Sequence, residues 1–207
     1  MVPVLIALAL VVAGGLVLAM RRRRSPHPAA IDPFTLSEPW RRHVASAQAA
    51  QRRYREITTA TPGGPLRDRL VSIGGQVQKA VEECFAIGRR GDDLDEALAR
   101  LDVPGLDAQL KRATDETARS SVAAQLAAAG RIRSTRDDTD AQLRLLVVRM
   151  GELTALAAEV SVGTDATDQL GVGVGDVVTQ LEGLRLALQE VNPVSYTHLT
   201  LPTSDLV

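Results

Sequence analysis

Two stretches of this 207-residue chain repeat apolar residues at alternating steps of three and four. Such spacing places apolar side chains on one stripe of an α-helix, and a stripe this long needs a partner to cover it. We therefore predict that the two stripes pack against each other as bundle helices or coiled-coil hairpins. The first stripe comprises Leu66, Leu70, Ile73, Val77, Val81, Cys84 and Gly88, and the second Leu143, Leu146, Met150, Leu153, Ala157 and Val160.

The composition also favours an all-α body. Hydrophobic residues make up 45% of the chain but aromatic residues only 2%, so the core must consist mainly of Leu, Val and Ala. Helices use such residues readily, whereas sheets favour aromatic and β-branched ones. Because no segment alternates apolar and polar residues between turns, we predict an antiparallel helical bundle without a sheet.

Breakers and capping residues predict where the helices of the body begin and end. Ser37 is the expected N-cap of the first helix, and Pro65 the expected start of the second. Gly91 should end that second helix near residue 90, and Asp92 should cap a short helix after it. Pro104 should interrupt this helix and begin a further one.

The remaining sequence predicts two further helices, over about residues 118–161 and 174–191, with the first ended by Gly163, Thr164 and Asp165. The charged segment 131–140 is either a loop or a solvated part of the longer helix, and we favour a continuous helix. The glycines of residues 171–175 lack the strand and the spacing of a phosphate-binding loop, so we predict a flexible connection there.

The N-terminus has the pattern of a membrane anchor. Residues 1–20 are apolar and long enough for a transmembrane helix, and four arginines follow directly. Positive charge on this side predicts that the N-terminus lies outside and the body in the cytoplasm. A cleaved signal peptide would instead carry its positive charge before the apolar run. We therefore expect four residues to set the topology and to contact membrane lipid: Arg21, Arg22, Arg23 and Arg24.

The chain divides into four predicted segments. Residues 1–20 are the anchor, and residues 21–36 are a basic stop and a proline-rich, extended linker. Residues 37–191 are the cytoplasmic helical domain. Residues 192–207 form a tail that we expect to be non-native, because residues 194–203 look like the translation of a transposase sequencing adapter.

No residue pattern indicates catalysis, a cofactor or a metal, so we predict a protein that is not an enzyme and takes no small-molecule substrate. Cys84 lies on an apolar stripe, where a thiol is buried and inert. His27 and His43 are not spaced as metal ligands. The acidic pairs Asp92/Asp93 and Asp137/Asp138 suit helix caps and solvated faces.

The first body helix, residues 38–58, offers one alternative. Its arginines are interleaved with Trp40 and Tyr54, a pattern typical of a helix that contacts anionic lipid or phosphates. The competing interpretation is a bundle helix with solvated arginines and with both aromatic residues in the core. The candidate contact residues are Arg41, Arg42, Arg52, Arg53 and Arg55.

Residues 65–70, 83–84 and 89–98 resemble a group of uncharacterised actinobacterial proteins that combine one N-terminal span, a basic stop and a helical body. The resemblance covers about residues 1–191 and implies this layout but no activity. We expect a membrane-tethered scaffold or protein-interaction module that binds a protein partner or forms a homo-oligomer through its two apolar stripes. Nucleic acid is an unlikely partner, since the net charge is only -1.

Overall fold

The computed structural model describes residues 31–190. All helices in this range belong to one compact unit that begins at Pro33. A short 3-10 turn, Pro33–Thr35, precedes five α-helices. These are α1 (Trp40–Ala60), α2 (Pro65–Arg100), α3 (Val103–Arg112), α4 (Glu116–Ser161) and α5 (Thr167–Glu190). The all-α prediction is confirmed, because the described residues contain no strand.

Several predicted boundaries are confirmed. Pro65 occupies the first turn of α2, where its missing N–H costs nothing. Pro104 lies in the first turn of α3, as predicted, and the helix is capped by Asp102, which has φ 41° and accepts a hydrogen bond from the Gly105 amide. Gly163, with φ 109°, follows the end of α4. The charged segment 131–140 is continuous helix, as we favoured.

Three predicted boundaries are wrong. Ser37 does not cap α1, because its hydroxyl donates to Asp92 and the helix begins only at Trp40. Gly91 does not end α2, which continues to Arg100, so Asp92 is not the cap of a separate helix. The glycines of residues 171–175 lie inside α5 and form no flexible connection.

The directions of the helices follow from their contacts. Helices α1, α2, α4 and α5 form a four-helix bundle in which consecutive long helices run antiparallel, as predicted. However, α1 and α4 run parallel, since His43 contacts Asp140 while Ala50 contacts Thr154. Helices α2 and α5 also run parallel as neighbours. Short α3 connects α2 to α4 and packs on α4.

Both apolar stripes lie in the core of this bundle. Leu70, Cys84 and Leu143 are fully buried, while Leu66 is only half-buried. The prediction that the two stripes pack on each other is only part of the arrangement. Helix α2 contacts α4, but it contacts α1 and α5 more extensively. One bundle core therefore covers both stripes, and neither is left as the seam for a second molecule.

The predicted anchor, the basic stop, most of the linker and the tail lie outside the described residues. Within the described range, no helix is long and apolar enough to cross a membrane. The last linker residues are not simply extended, since Leu36 is buried against the position of Gly88.

Candidate functional site

A polar cluster joins α1, α2 and α4 at the end of the bundle where the chain enters α1. At its centre, Trp40 is fully buried and donates from Nε1 to Asp95 Oδ2 at 2.7 Å. The indole lies directly over Gly91, where a Cβ atom would come within 2.5 Å of Trp40 Cδ2. Only glycine leaves room for the ring at this position. Gly91, which was predicted to end α2, is instead the place where the only tryptophan of the chain packs on the helix.

Arg136 of α4 completes this cluster. Its Nε atom donates to Asp95 Oδ1 at 2.8 Å, and its guanidinium lies 5.3 Å from the centre of the Trp40 ring. Asp95 therefore accepts from both neighbouring helices, and a cation–π contact adds to the hydrogen bonds. The pKa of Arg136 is raised, first by its hydrogen bond to Asp95.

His43 extends the cluster toward the middle of the bundle. It is buried, and its Nε2 atom lies 2.5 Å from Asp140 Oδ1. Asp140 Oδ2 is in turn 3.9 Å from Arg136 Nη1. The network thus joins three helices through hydrogen bonds and ion pairs between their side chains. The sequence pattern did not single out Asp95, Arg136 or Asp140, which lie 41 or more residues from their partners on other helices.

The predicted basic face of α1 is only partly assembled. Arg42, Arg52, Arg53 and Arg55 are exposed, but Arg41 donates to the Leu36 carbonyl and Arg55 to Gln78. The aromatic partners are in the core: Trp40 is 0% and Tyr54 2% exposed. A buried indole and phenol can neither stack on bases nor enter a lipid interface, so the bundle-helix interpretation of these two residues is correct.

Burial also decides the character of two titratable side chains. Cys84 is fully buried, which raises the pKa of its thiol to about 12, with the nearby Glu83 as a smaller cause. The predicted burial of this thiol is confirmed, and its raised pKa agrees with the expectation of an unreactive cysteine. Burial likewise raises the pKa of Tyr54 to about 12, and its hydroxyl donates to the Leu70 carbonyl at 2.8 Å.

The other singled-out residues have local roles. Asp92 accepts from Ser37, and Asp93 lies 3.5 Å from Arg90. Asp137 lies 3.2 Å from Arg136, and Asp138 accepts from Ser134. His27 and the arginines from Arg21 to Arg24 lie outside the described residues. Within the described range, no group of three or more potential ligands could hold a metal ion.

One glycine of α5 lies at a close contact between helices. Gly173 faces Leu153 of α4, where an added Cβ would lie 2.6 Å from Leu153 Cδ2. Beside this contact is a small cleft in the apolar core, with space for about one water molecule. Its lining comes from all four long helices and is Tyr54, Val77, Ala80, Met150, Leu153, Thr154, Val174 and Val177.

The outward sides of α4 and α5 carry most of the large exposed apolar side chains in the described part of the chain. Seven large apolar side chains are exposed in the described part of the chain, and five of them belong to this pair of helices or the turn between them. We call this surface the outer face. Its large apolar members are Leu145, Val148, Val162, Val172 and Leu186, which are 51–86% exposed.

Comparison of this chain with protein-family models, with curated proteins and with solved structures finds no match.

Proposed function

We propose that this chain is a membrane-tethered helical module that binds a protein partner through the outer face of α4 and α5. The observation that carries the proposal is the concentration of exposed apolar side chains on that face. Proteins expose single apolar residues everywhere, but five of the seven large exposed apolar side chains in the described range lie on this one pair of helices or the turn between them, and such concentration is typical of interaction surfaces.

The α4 part of this face is opposite the core. Leu143, Leu146 and Met150 point inward and are at most 6% exposed. Val148 lies between them in sequence and is 55% exposed on the other side. Helix α4 is therefore apolar on two sides, and only one of them is covered by the bundle. The uncovered side supports a binding role.

The outer part of α5 repeats the pattern. Residues seven apart lie on one side of a helix, and this relation joins Val172 to Thr179 and Thr179 to Leu186. All three side chains are exposed. Charged residues flank them, among them Asp176, which pairs with Arg149 of α4 at 3.8 Å. Exposed apolar side chains beside charged ones are a common feature of protein–protein interfaces.

The tethering part of the proposal rests on the sequence. An apolar segment at residues 1–20 followed by Arg21, Arg22, Arg23 and Arg24 would hold the body at the cytoplasmic side of the membrane. Anchoring confines the module to a surface, which raises its effective concentration toward partners on the same membrane.

Site-specific photo-crosslinking in cells tests the proposal. A photoreactive phenylalanine analogue is placed at Val148 on the outer face or at Val71 on α2. Val71 is a matched control for Val148, because the two valines are 58% and 55% exposed and both lie on bundle helices. We expect a discrete cross-linked species from position 148 and none from position 71. Equal yields at both positions, or no species at either, would refute the outer face as a binding surface.

A further inference from the structure

The outer side of α4 carries a pattern that is complementary to itself. With 100° between successive residues, seven residues between positions 141 and 155 lie within about 60° of Val148 around the helix. Six of them are exposed and Gly151 is half-buried. They are Ala141, Arg144, Leu145, Val148, Gly151, Glu152 and Ala155.

We propose that the partner bound by this face is a second copy of the same chain, with the two α4 helices packed antiparallel about a two-fold axis at Val148. This inference rests on the proposed function and names its partner. A two-fold axis at this residue places position 148 + n of one copy opposite position 148 − n of the other. Every contact in the pair then occurs twice.

The apolar side chains fit in this register. Leu145 of one copy lies opposite Gly151 of the other, and the position where a Cβ would stand on Gly151 has no atom within 4 Å. That space receives the leucine side chain as a knob enters a hole. Val148 meets its own copy, and Ala141 meets Ala155, so small residues let the two helices approach closely.

The charges fit in the same register. Arg144 of one copy lies opposite Glu152 of the other, so the symmetric interface holds two such ion pairs at its edges. Both side chains are exposed, and neither forms a salt bridge with another described residue of its own chain. Opposite charges at the flanks of an apolar stripe select partner and orientation in paired helices.

Parallel pairing would lose both kinds of fit. In an in-register parallel pair, Arg144 would face Arg144, Glu152 would face Glu152 and Leu145 would face Leu145. Like charges would repel, and the space above Gly151 would be left without an occupant.

Disulfide cross-linking of the full chain in lipid vesicles tests the register. Chains with Leu145→Cys are mixed with chains carrying Gly151→Cys and oxidised, while the native Cys84 is buried and does not react. We expect a disulfide dimer in the mixture and little with either variant alone. Mixing Val71→Cys with Gly151→Cys is the control and should give no dimer.

Other outcomes of this experiment overturn the proposal. Strong cross-linking of Leu145→Cys alone would indicate parallel pairing. Absence of a dimer in every mixture would exclude self-association through α4. If Val148 nevertheless cross-links to a different protein in cells, the proposed function stands and only the identity of the partner is wrong.

A charge exchange tests the ion pairs independently. Arg144→Glu or Glu152→Arg alone should weaken dimerisation about fivefold or more, because each creates two like-charge contacts. Combining both substitutions should restore dimerisation to near the native level. Arg53→Glu with Glu56→Arg on α1 is the control and should change nothing. A double variant as weak as the single variants would contradict the pairing.

Discussion

Substitution of Gly91 by alanine tests the close packing of Trp40 on α2, at the centre of the polar cluster that joins α1, α2 and α4. In an open helix position, this change should stabilise the protein by about 1 kcal/mol, because alanine is the better helix former. Here the new methyl group would overlap the fully buried indole, with its Cβ only 2.5 Å from Trp40 Cδ2. Overpacking of a core costs about 1–3 kcal/mol. Displacing the indole also breaks its hydrogen bond to the charged Asp95, which contributes about 1.5–3 kcal/mol.

We therefore expect Gly91→Ala to lower the free energy of unfolding by about 2–5 kcal/mol. Urea denaturation of the full chain measures this value, and fluorescence of Trp40, the only tryptophan, follows the cluster itself. The emission should shift to longer wavelength in the folded variant as the ring is displaced.

Gly75 provides the matched control on the same helix. It is exposed, and no atom lies within 4 Å of the position of its Cβ. Gly75→Ala should thus raise the free energy of unfolding by up to about 1 kcal/mol and leave the emission unchanged. If Gly91→Ala is as stable as Gly75→Ala, the close packing of Trp40 on α2 is wrong.

Three further predictions concern the core, the thiol and the membrane topology. Leu70→Ala and Leu146→Ala should each lower the free energy of unfolding by about 2–5 kcal/mol, because both side chains are at most 6% exposed in the core. If chemical denaturation shows little change in this free energy, the two leucines are not core residues. Burial raises the pKa of Cys84 from an ordinary value near 8.5 to about 12, so the folded state disfavours the thiolate and stability should fall as the pH rises between these values. Between pH 7.5 and 10, the native chain should lose about 2 kcal/mol more than Cys84→Ala in urea denaturation, and equal losses would contradict this assignment. Finally, Ser25→Cys in the linker should resist a membrane-impermeant thiol reagent in intact cells and react after lysis; labelling in intact cells would overturn the N-out topology.

The sequence predicts the helical class and the core stripes because local periodicity determines both. Residues three and four apart share one side of a helix whatever the rest of the chain does. The burial of Leu70, Ile73 and Leu143 could therefore be read from their spacing. Proline gives equally local information, which is why the starts of α2 and α3 were predictable.

The wrong boundaries depend on residues distant in sequence. A glycine that ends a helix and a glycine that admits an aromatic ring look the same along the chain. Gly91 makes room for an aromatic ring, because Trp40, 51 residues away in sequence, packs on it. Gly173 is similar, since its role is the approach of Leu153 from another helix. The same limit concealed the Asp95–Arg136 contact, which only the folded bundle brings together.

The outer face could have been found in part from the sequence. Helix α4 has apolar residues on both of its sides, and the run from Leu145 to Val148 contains four in succession. The spacing alone identified the stripe that the bundle buries. It could not tell whether the other side is covered by a further helix of the same chain, and only the fold leaves Leu145 and Val148 exposed.

The distance between two spin labels attached at Val148→Cys tests the central claim most directly. The full chain is labelled and reconstituted in lipid vesicles, and pulsed electron paramagnetic resonance measures the separation. Paired helices lie about 8–10 Å apart, so labels on a two-fold axis should give one narrow distribution below about 25 Å. Labels at Val71→Cys should show longer separations. Absence of dipolar coupling at position 148, or the same broad distribution at both positions, would contradict an outer face that binds a second copy.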